Sequence, residues 1–167
     1  SILCTVSLQA DGKIVFCGRT TVSNVRKLVV GRVNTNGSAD TTFDSDGFAL
    51  TTAGVGDSSG NGKIKVQSDG KIVVLERSAV HQPTTNRSVL LHRYNANGTL
   101  DTSFSSDGIL EYSYFSYNDY GDDFNFVGNT ILVSGNTMET PFKVSIALAR
   151  FTTDGNFDDN FSGDGKS

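Results

Sequence analysis

The sequence predicts an all-β fold built from three repeated four-stranded antiparallel meanders. Three observations carry that prediction. Turn formers dominate: Ser, Thr, Asn, Asp and Gly supply 82 of the 167 residues. Asp outnumbers Glu 15 to 3 and Ala is scarce at 8, a balance that favours turns over helices. The apolar residues fall in short runs such as 13–16 and 88–91, strand-sized rather than helix-sized. Finally, one motif occurs three times. A helical bundle is thereby excluded, and a Rossmann-type alternation is disfavoured.

The motif runs Arg-x-x-x-Asn/Asp-Gly-x-x-Asp-x-x-Phe-x-x-Asp-Gly when small variations are pooled, at residues 32–47, 93–108 and 150–165. Its fixed members are Arg32, Arg93 and Arg150; Gly37, Gly98 and Gly155; Asp40, Asp101 and Asp158; Phe43, Phe104 and Phe161; and a closing Asp-Gly. The copies are spaced by 61 and 57 residues. A second landmark precedes each copy. Gln9-Ala10-Asp11-Gly12-Lys13-Ile14-Val15 recurs at 67–73, and more loosely at 126–132 with Gly128-Asn129 in place of Asp-Gly. Both dipeptides suit hairpin turns, and a type I′ turn with two positive φ values is the expectation.

Each unit then reads in order. A first strand (the Leu8 region, 64–67, 124–127) enters the tight turn. A second (13–17, 71–75, 130–134) leaves it. A variable loop leads to a third (27–33, 89–94, 145–151), which ends at the motif's first turn. A fourth (48–52, 109–114) begins after the closing Asp-Gly, and the chain stops where a third copy of that strand would start. Four strands per unit at this period predict β-propeller-type blades. The blade-like repeats span 1–52, 53–114 and 115–167. Within a blade, the motif Asp accepts amide hydrogen bonds in its turn. The Phe plugs the space between units, and the Arg bonds turn carbonyls or its own Asp.

On these residues the chain resembles the delta-60 repeat, a propeller-like repeat of bacterial secreted and surface proteins. The resemblance covers three copies and is most specific in the first two. It implies an extracellular or cell-surface location and a scaffold or binding role, and it brings no catalytic residues.

Charge and termini bound the partners. The net charge is −4 and the 14 Lys and Arg are scattered, so nucleic acid is not an expected partner. No apolar run approaches the roughly 20 residues of a membrane-spanning helix. The chain begins at Ser1 without a signal peptide and reads as a piece of something longer. Further repeats or another copy of the chain are the expected partners of its open blade edges, with a protein or glycan ligand beside them. Symmetric closure about Asp11-Gly12 places Val6 opposite Cys17 and Cys4 diagonal to it. Two buried thiols are the favoured reading over a bridge.

Ligand candidates come from two places. Residues 112–126 hold seven of the 16 aromatics, interleaved with carboxylates, a mixture that suits sugar stacking. Tyr117, Asp119, Tyr120 and Asp122 are placed in an exposed connection. The second unit is longer around His81, and insertions in repeat proteins gather on a binding face. Calcium at the Asp44–Gly47 and Asn34–Asp40 loops is a minor alternative, so no cofactor is expected. A hydrolase carboxylate pair among Asp119, Asp122 and Asp123 is a lesser alternative still. No catalytic residue is assigned, and no nucleophile or metalloprotease motif occurs.

Overall fold

A computed structural model describes residues 2–51, 62–80, 87–114, 118–140 and 143–167, without the side chains of 2–4 and 77–80. Its described residues form three antiparallel sheets. The first has β1 (Ile2–Leu8), β2 (Ile14–Val22), β3 (Val25–Val33) and β4 (Phe48–Thr51), hydrogen-bonded in chain order. The second repeats that plan with β5 (Lys63–Val66), β6 (Ile72–Val80), β7 (Arg87–Tyr94) and β8 (Ile109–Tyr112). The third has β9 (Asp119–Val127), β10 (Thr130–Thr140) and β11 (Lys143–Phe151). A fourth strand only begins there: Lys166 bridges Ala149, and Ser167 exchanges two backbone hydrogen bonds with Leu148, at 2.7 and 2.9 Å. The fold is all-β, in three blade-like meanders.

The sheets pack face to face, because strands put alternate side chains on opposite faces. Val15, Cys17, Leu28, Val30 and Phe43 of the first sheet meet Ile64, Ile72, Val74 and Tyr94 of the second. Val73, Leu75, Val89, Leu91 and Phe104 of the second meet Phe124, Ile131, Val133, Ala149 and Phe151 of the third. The second sheet is therefore apolar on both faces, which is why β7 is buried along nearly its whole length.

Turn chemistry departs from expectation in an informative way. Gly12 and Gly70 alone take positive φ, 82° and 84°, while Asp11 and Asp69 do not. Gly12 N–H donates to Gln9 O at 3.0 Å and Gln9 N–H to Lys13 O at 2.8 Å. This is a three-residue loop, a type I turn closed by a left-handed glycine, rather than type I′. The extra residue shifts the register by one. Val6 therefore pairs with Phe16 instead of Cys17, and a bulge follows between Leu3 and Val6. Cys17 is a buried thiol with Thr5 Oγ1 at 3.8 Å. The Cys4 side chain lies outside the described ones.

The third hairpin has a true two-residue turn. Val127 pairs Thr130 around Gly128-Asn129, and Gly128 takes φ 57°, as a type II′ turn requires of its first central residue. In the first sheet the expected variable loop is mostly strand. β2 and β3 pair through Val22–Val25 about Ser23-Asn24, both at positive φ.

Candidate functional site

The motif residues come together at the joints between sheets. Arg32 Nε donates to Asp40 Oδ2 at 2.6 Å, and its guanidinium carbon sits 4.9 Å from the Phe43 ring centroid. Its Nη1 donates to the carbonyl oxygen of Ala96 in the next repeat, at 2.6 Å. The Asp44 amide donates to Asn97 O at 2.7 Å. The second joint repeats the set. Arg93 Nε donates to Asp101 Oδ2 at 2.7 Å, its guanidinium lies 4.5 Å from the Phe104 ring, and Nη1 donates to Thr153 O. The Ser105 amide donates to Asp154 O at 2.8 Å. Phe43 and Phe104 are fully buried. Each guanidinium thus closes its own turn and clasps the turn of the following repeat, using the fork geometry that Arg alone offers.

The aspartates at these joints are strongly acidic. Lys13 Nζ lies 2.8 Å from Asp40 Oδ2, and Thr42 donates to Oδ1 from both its hydroxyl and its amide. Lys13 and Thr42, with Arg32 behind them, hold the Asp40 carboxyl well below its ordinary range against the opposing effect of burial. Burial pushes Asp101 upward, but Lys71, Ser103 and Arg93 outweigh it and leave that carboxyl equally low. The third copy is simpler. Arg150 Nε donates to Asp158 Oδ2 at 2.7 Å, and its guanidinium carbon lies 4.9 Å from the Phe161 ring centroid. Asn160 caps Asp158.

A second polar cluster crosses the first joint. Glu76 joins Arg19 Nη2 at 2.6 Å and His92 Nε2 at 3.0 Å, with His92 fully buried. Burial opposes ionisation of Glu76, yet His92 and Arg19 outweigh it and keep the carboxyl below its ordinary range. His92 is thus engaged in structure, beside a buried Thr51–Tyr94 hydroxyl pair at 2.7 Å.

An open cleft of 390 Å³ lies where the end of the second sheet meets the third. Tyr114 forms one wall. Thr137, Glu139, Ser145, Ile146, Asp164, Lys166 and Ser167 form the rest. Lys166 Nζ sits 5.7 Å from the Tyr114 ring and 4.5 Å from the Phe157 ring. Glu139 accepts from Ser145 at 2.9 Å and from Lys143 at 2.5 Å, and these donors lower its pKa. Burial pushes the Tyr114 phenol up to about 12, so it is a neutral hydroxyl at ordinary pH. The cleft offers an aromatic face, carboxylate acceptors and one ammonium within one concavity.

The residues singled out from sequence fall differently. His81 and Tyr117 lie outside the described residues. Asp119, Tyr120 and Asp122 belong to β9 rather than to an exposed connection. Asp119 is 1% exposed, accepting from the Tyr114 amide at 2.7 Å and from Thr137 Oγ1. Tyr120 is half-buried. Asp122 is exposed and accepts from Asn136 Nδ2 at 3.0 Å, whereas Asp123 faces Lys65 Nζ at 3.3 Å. Each of the three carboxylates thus has partners of its own within the fold. The supposed calcium loops turn their oxygens inward: Asp46 Oδ1 accepts from the Phe48 amide at 2.9 Å, and Asn36 Oδ1 from the Ser38 amide at 3.0 Å. Among the described residues no group of three or more His, Cys, Asp or Glu is placed to hold a metal. Sequence reasoning missed the cleft. Tyr114 stood in the aromatic segment, but Glu139 and Lys166 carry no pattern that joins them to it.

A family model described as "Domain of unknown function (DUF5122) beta-propeller" matches residues 9–43 and 83–104. Those stretches run to Phe43 in the first repeat and to Phe104 in the second, so they hold both joint-forming Arg-Asp-Phe sets. No curated protein matches the chain.

Proposed function

We propose that the chain is a non-catalytic binding module: a rigid series of blade-like sheets that displays loops and one cleft to a protein or surface partner. The observation behind this reading is where the charges go. The buried charged groups Arg32, Arg93, Asp40, Asp101 and Glu76 are engaged in holding sheets together. Carboxylates left facing solvent lie on strands, turns and the rim of the cleft alike, among them Asp122, Asp46 and Asp164. The resemblance to repeats of secreted bacterial proteins extends the reading to a location outside the cell or on its surface. Protease shaving of intact cells that make the protein tests that location.

A glycan ligand is the second reading, and the cleft favours it. The Tyr114 ring suits sugar C–H faces, while Glu139 and Asp164 suit hydroxyls. A glycan array run with the chain and with Tyr114→Ala separates the readings. Binding lost in the variant supports a glycan ligand; no glycan binding leaves a protein partner. Turnover of a chromogenic glycoside panel, abolished by Asp122→Asn or Asp123→Asn, would sink the non-catalytic reading.

A further inference from the structure

The two outer faces of the molecule carry the same positions that its internal joints bury. In the first sheet Leu8 pairs with Ile14, as Val66 pairs with Ile72 in the second. Ile72 is fully buried in the first joint and Val66 packs beside it. Leu8, however, is 71% exposed and Ile14 37%. The outer face of the third sheet shows the converse. Ile146 stands four residues before Arg150, as Leu28 and Val89 stand before Arg32 and Arg93. Leu28 and Val89 are 3% and 2% exposed; Ile146 is 86% exposed.

The polar half of the joint is split between the same two faces. At the internal joints Gly98 and Gly155 are pressed onto the preceding repeat: an added Cβ would lie 2.8 Å from the Asp44 amide nitrogen and 3.0 Å from that of Ser105. Their counterpart Gly37 has nothing within 4 Å. At the other end Arg150 holds Asp158 and lies over Phe161, ready for the onward carbonyl that Arg32 and Arg93 reach. One end of the molecule is a turn that fits a clasp, and the other is the clasp.

We propose that the outer face of the third sheet receives the outer face of the first sheet of a second copy of this chain, head to tail, so that two copies complete a ring of six sheets. Arg150 Nη1 then donates to the carbonyl of Thr35, the counterpart of Ala96 and Thr153. The Ser162 amide donates to Asn36 O, the counterpart of Asn97 and Asp154. Ile146 is buried against Leu8 and Ile14. The occupant follows from continuity: both joints within the chain have this construction, and the two outer faces are its two halves. Six sheets fall within the four to eight of closed propellers, and contact between unlike faces closes a ring when the rotation allows it.

Sedimentation equilibrium on the 167-residue chain tests the proposal, with Leu8→Asp and Ile146→Asp as the variants. Both positions are exposed, so circular dichroism melts of the separated variants should match the monomeric fold. The wild type is expected at twice 17.8 kDa, and each variant alone at the single-chain mass. An equimolar mixture of the two variants associates more tightly than either variant alone, because one of its two junctions joins two unaltered faces. A monomeric wild type overturns the proposal. So does a two-copy wild type that neither variant disrupts, a variant mixture no more associated than either variant alone, or a ladder of masses beyond two copies.

Discussion

Arg32 Nη1 and the carbonyl oxygen of Ala96 lie 2.6 Å apart although 64 residues separate them. Arg93 and Thr153 repeat the contact one sheet later. Arg93→Ala removes that clasp and also leaves Asp101, 5% exposed, without its guanidinium. Breaking a buried ion pair from one side costs about 3–5 kcal/mol. Urea denaturation should show a loss of that order for Arg93→Ala. Arg150→Ala, measured on the single-chain form, should lose clearly less, because Arg150 has a quarter of its side chain in solvent. Equal losses would contradict the assignment of Arg93 to a joint.

The Thr51–Tyr94 hydroxyl pair ties the edge strand of the first sheet to the second. Tyr94→Phe leaves the Thr51 hydroxyl buried and unmatched, at a cost of about 1–3 kcal/mol. Adding Thr51→Val removes the orphaned group and should restore part of the loss. A double variant as destabilised as the sum of the singles, in chemical denaturation, would show that the two hydroxyls act independently.

Acid should weaken the joints. Asp40 and Asp101 titrate well below the ordinary carboxylate value in the folded state, whereas unfolded carboxylates titrate near ~3.9. A depressed folded pKa contributes stability that is complete above the unfolded value and is lost as pH falls below it. The melting temperature should therefore hold steady down to about pH 5 and fall steeply below about pH 4. Lys13→Met removes the leading cause of the Asp40 shift, so its fall with pH should be shallower.

Gly135 faces the bulge where β10 shifts its pairing with β9. A Cβ built there falls on the Tyr120 carbonyl oxygen, which is backbone and cannot swing aside. Gly135→Ala should therefore cost several times the few tenths expected of a surface change. Gly163→Asn is the control, since nothing lies within 4 Å of a Cβ at Gly163 and its motif counterparts Ser45 and Ser106 carry side chains at positive φ. A Gly135→Ala melt that matches wild type would remove the close approach.

The blade-like architecture was legible because a motif used three times announces its own boundaries. Arg, Asp and Phe at fixed offsets could be placed in one turn before any coordinates. Their outward partners could not, since Ala96 and Thr153 take part through main-chain carbonyls, and an acceptor common to every residue leaves no mark in sequence. The Asp-Gly hairpins misled in register because the same dipeptide closes a two-residue or a three-residue loop. That single residue moved Phe16, rather than Cys17, opposite Val6. β9 was under-extended for a related reason. Its start, Asp119 to Asp123, shows no apolar alternation, yet the chain is strand there because Asp119 is satisfied inside the fold by Thr137 and the Tyr114 amide. The cleft joins Tyr114 to residues 23 to 53 positions away, a convergence that only the packing of two sheets creates.

The main-chain acceptor at each joint has an evolutionary consequence. A clasp that reads a carbonyl is blind to the residue that supplies it, and Ala96 and Thr153 serve equally. Tandem duplication of one unit therefore creates a working junction at once, with no matching change needed in the neighbour. Drift at that position is then free, while the Arg, the Asp and the close-packed glycine are not. Arrays of such units can lengthen or shorten by whole copies.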